Sequence, residues 1–459
     1  MTAIKANQLQ DPSMLSLLMI AMHFPPEATA GVHRSLRFAK YLPDFGCQPY
    51  VMTRNRPPEP GGDDLLKQVP EGVVVHRIGK LIRLPRSKQE SQVDGNVVGK
   101  RTRYQGVRNV AKSILLPPWE LVSETPDQHV GWAQVASQRA IEQCKESHFD
   151  AIYTTGPPHS THLIGCKVKH KFGLPWVADF RDPWARHNWE KQRNPWGRRL
   201  KPYFERKVVR TADRVVLNNE ASRDEFRANY PDLPTEKFVA IPNGFDPELI
   251  QQVTELQLPL PHNIKSDAST KRSPVICHPG TLYRQREPRP ILKAIANLRK
   301  QGQDIRFQQM GLATGECDPA RIGAELGIED LVEVIPRGSH TEALERMSQA
   351  DILLVIQPNA PLQIPGKLYE MLLFDKPIIG ICESRATSAV LESAGNAWSV
   401  SSTDIAAIEV ALQDSLACDW ENVREARLRA RDCFDGRALS RRLRDVVVSA
   451  IKNQVGTEH

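Results

Sequence analysis

Short apolar runs recur along the chain, and most are followed by a stretch whose apolar residues return every three to four positions. That alternation is the signature of strands joined by crossover helices, and it predicts an α/β fold built on parallel sheets. In the first half the runs fall at 15–21, 49–53, 73–78, 151–155, 176–178, 214–217 and 238–241, with helices beginning near Val32, Trp132, Thr161, Arg198, Glu220 and Pro247. In the second half they fall at 275–278, 305–309, 332–336, 352–356, 377–381 and 397–400. The apolar run at 14–22 is too short for a membrane span and has neither a basic flank nor a small-residue cleavage site, so it reads as a buried strand. Neither secretion nor a transmembrane helix is expected.

A chain of 459 residues exceeds what one hydrophobic core serves, so two domains are expected. The stretch 254–272 is polar, broken by proline and without periodicity, and marks a linker. The division is then an N-terminal domain at 1–253, a C-terminal domain at 273–430 and a charged helical tail at 431–459.

Composition narrows the class. With 40% hydrophobic and 25% charged residues the chain is that of a folded protein. Its eight cysteines are dispersed, without a CxxC pair, which points to a reducing compartment and against zinc or disulfide frameworks. The net charge of +7 favours anionic partners. A basic insertion at about 80–125, densest between Lys80 and Lys112, is either a solvated surface loop or a contact with an anionic membrane or lipid phosphate. It lacks the interleaved stacking aromatics of a nucleic-acid groove, so no nucleic-acid partner is expected.

In open parallel sheets ligands bind beyond the carboxyl ends of the strands, so the loops there carry the candidate chemistry. After the first strand, HFPPEATAGVHR leads into a helix at Gly31, which is either a plain turn or a close approach of backbone N–H groups to a phosphate. It is neither GxGxxG nor a Walker loop. GPPHSTH carries His159, a structural hydrogen-bonder or a titrating group at the rim. ADFRDPW carries Asp179, Arg181 and Asp182, which form an ion-paired brace or hold acceptor hydroxyls. In the second half HPGTLYRQR places Arg284 and Arg286 after the turn glycine Gly280, where guanidinium groups suit a diphosphate. PLQIPGKLYE sets Gly366 and Lys367 at a helix start with Glu370 following; a lysine there runs against the helix dipole, which suggests an anionic ligand. No DxD or His/Glu spacing suits a metal.

Taken in order, these segments, together with PDQHVGW, TADRVVLNNEASRDEF, IPNGFD and GSHTEALERMSQADILLV, resemble the retaining glycosyltransferase family 4 of the GT-B superfamily, in its bacterial surface-polysaccharide branch. The resemblance covers nearly the whole chain. It implies two Rossmann-like domains facing a cleft, the donor nucleotide on the C-terminal one, the acceptor on the N-terminal one, and a last helix crossing back to the first domain. It would put Gly31 near the donor phosphates, Arg286 in the position of the family's diphosphate-binding lysine, Lys367 as a second cation and Glu370 on the donor ribose. Two positions depart from the family pattern: Leu362 stands where the first glutamate of its E-x7-E motif falls, and Thr281 stands where an arginine often follows the turn glycine.

The expected reaction is transfer of a sugar from a nucleotide sugar to a hydroxyl of a glycan or lipid-linked acceptor, retaining and without a metal or other cofactor. Arg286 and Lys367 would stabilise the leaving diphosphate, while Asp182, Asp179 and His159 are acceptor-side candidates. The expected location is cytoplasmic or peripheral at the inner membrane face. The alternatives are a nucleotide-sugar epimerase or hydrolase of the same fold, and a catalytically silent GT-B-like scaffold.

Overall fold

The computed structural model describes residues 14–79, 126–185, 195–256, 272–283, 286–358, 360–395, 397–418 and 420–455. The basic insertion at 80–125, most of the 254–272 linker and Arg284 lie outside the described residues.

The chain divides into two compact units. The first comprises residues 1–218, 225–240 and 441–459, the second residues 219–224 and 241–440. The first holds a parallel sheet of seven strands: β1 (Leu15–Ala21), β2 (Cys47–Arg54), β3 (Val74–Ile78), β4 (Ala151–Gly156), β5 (Trp176–Phe180), β6 (Arg214–Leu217) and β7 (Phe238–Ala240). Their spatial order is β3-β2-β1-β4-β5-β6-β7. The second unit holds six: β8 (Val275–Pro279), β9 (Arg306–Met310), β10 (Val332–Ile335), β11 (Ile352–Gln357), β12 (Ile378–Cys382) and β13 (Ala397–Val400), in the order β10-β9-β8-β11-β12-β13. Each strand overlaps one of the predicted apolar runs. Central strands covered on both faces need continuous apolar sequence, and β4 and β11 are buried along their whole lengths.

In each sheet the order reverses beside the first strand: Leu17 of β1 pairs with Pro49 on one side and Ala151 on the other. Successive connections leave in opposite directions there, which opens a crevice at the carboxyl edge. In the first unit these connections include α1 (Val32–Tyr41), α2 (Gly62–Lys67), α3 (Val130–Glu146), α4 (Ser160–Phe172), α5 (Pro195–Thr211) and α6 (Glu220–Asn229), although residues 220–224 of α6 are grouped with the second unit. Helix α4 lies close against β5 because Gly165 has no side chain: a Cβ there would stand 2.3 Å from the buried Trp176 ring.

The units divide earlier than the linker composition suggests. Helix α7 (Glu248–Leu256) extends into the expected linker, and its Leu249, Val253 and Leu256 pack in the core of the second unit. Residues 241–253 therefore belong with the second unit. The second unit continues with α8 (Arg289–Lys300), α9 (Pro319–Leu326), α10 (His340–Gln349), α11 (Gly366–Met371), α12 (Arg385–Ser393), α13 (Ile405–Leu416) and α14 (Trp420–Phe434). Helix α14 is anchored by Arg427, a fully buried guanidinium that donates to the carbonyls of Ala394, Met371 and Lys376; burial pushes its pKa down to about 10. Helix α15 (Gly436–Val455) ends in the first unit, where Arg442 donates to Ala240 O at 2.7 Å and Gln454 to Gly173 O at 2.6 Å.

Candidate functional site

At the carboxyl edge of the first sheet, Asp179 ends buried and fully engaged. Arg34 on α1 grips it with Nε and Nη2 at 2.9 and 2.8 Å, and Tyr153 and Thr155 donate to Oδ2 at 2.5 and 2.9 Å. Burial alone would raise its pKa, but the Arg34 charge and these bonds hold it below the ordinary carboxylate value. Of the two readings of Asp179 the buried brace fits: with no exposed surface it has no acceptor hydroxyl within reach. Arg181 is also a brace. Its guanidinium donates to the carbonyls of Gly31, Gly156 and Pro157, tying together the loops after β1, β4 and β5. Gly31 is bare for this reason, since a Cβ would stand 2.9 Å from Arg181 Nη1.

His159 stacks on Trp184 with ring centroids 4.9 Å apart, and His162 stacks on Phe180 at 4.6 Å. His162 is neutral, its pKa pushed to about 3 by burial. Asp182 is half-buried, and His159 and Arg181 are each 8% exposed, so of the predicted acceptor-side residues only Asp179 has no exposed surface.

A second constellation at this edge escapes sequence reasoning. Glu27, 1% exposed, receives Arg54 Nη2 at 2.8 Å and Nε at 3.2 Å, and meets His23 Nδ1 at 2.6 Å. Burial would raise the Glu27 pKa, yet His23 and Arg54 together lower it. A carboxylate held ionised in this way is matched by a proton on Nδ1 of His23, whose Nε2 has no partner among the described residues. The signal in the sequence is the H-x-x-x-E spacing directly after β1.

In the second unit the turn after β8 is built on Gln309. Its Oε1 accepts from His278 Nδ1 at 2.8 Å while its Nε2 donates to Gly280 O, so His278 carries its proton on Nδ1. Burial pushes the His278 pKa down to about 4. Arg286 lies over the Tyr283 ring, 5.2 Å from its centroid, and its Nε donates to Gln357 Oε1 at 2.9 Å. Its two terminal nitrogens have no partner among the described residues. The plane of the guanidinium is thus fixed and its fork left open. Thr281 is exposed beside it.

The segment before α11 is held by Ser384, which donates to Pro361 O at 3.0 Å, and by Thr387, which donates to Gln363 O at 3.0 Å. Lys367 Nζ donates to Glu370 Oε2 at 2.8 Å, and His340 Nε2 reaches the same oxygen at 3.2 Å. Burial works against the charge on Glu370, but Lys367 and His340 outweigh it and hold the carboxyl far below its ordinary range. The lysine at this helix start is therefore matched by a carboxylate within the helix, and the dipole argument for an anionic ligand no longer stands alone. His340 was not singled out from sequence, although the Ser339–Glu342 capping box that opens α10 is legible there. Leu362 is half-buried in the same segment and offers no carboxylate. Among the described residues no three His, Cys, Asp or Glu side chains are grouped as metal ligands.

Residues 30–244 match the glycosyl transferase 4-like domain. No curated protein matches the chain in sequence. Solved structures match it over nearly the full length. A glycosyltransferase from Rickettsia africae aligns with a TM-score of 0.60 at 13% identity, covering 96% of this chain and 99% of that one. Anabaena HepE in complex with UDP aligns at 0.60 and 16%, covering 95% and 100%. The α,α-trehalose 6-phosphate synthase of Burkholderia multivorans aligns at 0.62 and 13%, covering 97% and 99%. Together with the two parallel sheets and their flanking helices, these alignments establish a GT-B fold with two Rossmann-like domains.

Proposed function

We propose that the chain is a retaining, metal-independent glycosyltransferase that moves a sugar from a nucleotide-sugar donor to a hydroxyl of a glycan or lipid-linked acceptor. The observation that carries this reading is Arg286: a half-buried guanidinium oriented by Gln357 and Tyr283, with both terminal nitrogens unengaged among the described residues. Such a fork suits a diphosphate, and its charge counts most when the leaving group gains its electrons. In the proposed step the bond from the anomeric carbon to the diphosphate breaks with its electron pair on the phosphate oxygen. The acceptor oxygen bonds to that carbon, and its proton passes to the leaving phosphate. Lys367 adds a second cation, Gly280 keeps the turn after β8 open toward the donor phosphates, and Glu370 holds the donor ribose, whereas Gly31 is taken up by its contact with Arg181. The neighbours in fold support the donor class, since HepE forms complexes with UDP and with UDP-glucose. Surface polysaccharide or glycolipid synthesis at the cytoplasmic face is the setting this reading favours. On the acceptor side His159 and Asp182 are joined by His23.

A second reading, a scaffold that binds without turnover, is favoured by Leu362 and Thr281, which leave two family positions without their charges. Thermal unfolding against UDP, GDP and ADP at millimolar concentration, each with its common sugar conjugates, tests the first reading, because a ligand that binds the folded state raises its melting temperature. Stabilisation by one nucleotide series, with release of its diphosphate from the conjugate, is the expected result. No shift with any of them would overturn it, and a shift without release would favour the scaffold.

A further inference from the structure

Helix α5 of the first unit presents two unlike faces. Inward, Val208 and Val209 are fully buried and Phe204 packs against the core. Its one acid, Glu205, is buried too, accepting from Ala185 N at 2.8 Å and Tyr230 Oη at 3.1 Å. Outward, Leu200 is 41% exposed and Tyr203 60%, and the exposed Arg206, Lys207 and Arg210 continue the same stripe one and two turns on. Asp232 pairs with Arg210 at 2.8 Å, but neither Arg206 nor Lys207 has an ion-pair partner among the described residues. The outer face therefore combines an exposed aliphatic and aromatic pair with three cations, to which Asp232 alone, paired with Arg210 and close in field to Arg206, stands opposed among the described residues.

We propose that this face of α5 is a docking surface for an anionic phospholipid bilayer. The charge selects the partner: cations beside exposed apolar groups are attracted to an anionic headgroup layer, each Lys or Arg near such a surface contributing about fivefold in affinity. Tyrosine suits the interface, with its ring among the acyl boundary and its hydroxyl in the headgroups. The helix lies on the bilayer and does not cross it, because no described helix is long and apolar enough to span. This docking does not depend on the donor reading above.

The test is co-sedimentation of the full chain with extruded vesicles of phosphatidylcholine alone and of phosphatidylcholine with 30% phosphatidylglycerol, at low and at half-molar salt. Binding to the anionic vesicles alone, weakened by salt, is expected. The double variant Arg206→Gln/Lys207→Gln should lose on the order of 25-fold in affinity, Tyr203→Ser should weaken binding further when combined with it, and Arg139→Gln, an exposed cation on α3, should change nothing. All substituted side chains are exposed, so unchanged thermal unfolding will confirm that each variant is folded. No sedimentation of the wild type with anionic vesicles would overturn the proposal. So would binding that survives the α5 variants, because another surface, such as the basic stretch at 80–112, would then be responsible.

Discussion

Replacing Arg34 by methionine removes the charge opposite Asp179 while keeping most of the side-chain volume. In the wild type Asp179 has no exposed surface and its depressed pKa adds stability above the unfolded value, which is lost only as the pH falls through the folded one. In the variant the balance reverses, because burial then dominates and raises the pKa of Asp179. Stability will now be greatest at low pH and will fall as the pH rises through the unfolded value. Leaving a buried charge without its partner costs about 3–5 kcal/mol. Protonating an ordinary aspartate at pH 7 costs about 4 kcal/mol, which caps the electrostatic part, and Tyr153 and Thr155 still donate to the group. A loss of about 3 kcal/mol at pH 7 is expected, lowering the melting temperature by roughly 6–12 °C. At pH 4.5 protonation costs under about 1 kcal/mol, so the deficit should shrink to about 1 kcal/mol. Urea unfolding followed by tryptophan fluorescence at the two pH values measures both. A deficit below about 1 kcal/mol at pH 7, or one equal at both pH values, would refute the description of this ion pair.

Three further outcomes follow from the same geometry. Gly165→Ala drives a methyl into the Trp176 ring and should destabilise the first unit by about 1–3 kcal/mol, measured by the same urea titration; a neutral result would mean that α4 and β5 are not packed as described. Glu27→Gln leaves Arg54 without its carboxylate and His23 Nδ1 without a charged acceptor, so it should lower stability by about 2 kcal/mol or more, measured by the same urea titration; unchanged stability would contradict the role given to Glu27. Turnover of the donor should be unchanged by EDTA, and a strict requirement for a divalent ion would defeat the metal-free mechanism.

The strands were legible because buried parallel strands need continuous apolar runs, and runs such as Leu15–Ala21 and Ile352–Gln357 have little else to be. The boundary between the units was harder. Residues 241–253 read as the end of the N-terminal domain, and only Phe245 and three apolar positions of α7 seat this stretch in the second core. The site was legible as loops and less so as roles. Asp179 looks like a rim carboxylate in ADFRDPW, but its partner Arg34 lies 145 residues away, and no local pattern announces that pairing. Lys367 looked like a cation awaiting an anion until Glu370, one turn on, and His340 were placed beside it. The His23–Glu27–Arg54 set was missed because its third member comes from a different strand.

The central claim is that Arg286 and Lys367 hold the diphosphate of a nucleotide donor, and calorimetric titration tests it most directly. The nucleoside diphosphate that stabilises the wild type would be titrated into wild type, Arg286→Ala and Lys367→Ala, each first shown to unfold at the wild-type temperature. Loss of a charge-assisted bond should weaken binding by about tenfold or more in each variant. Binding as tight in both variants as in the wild type would contradict the account.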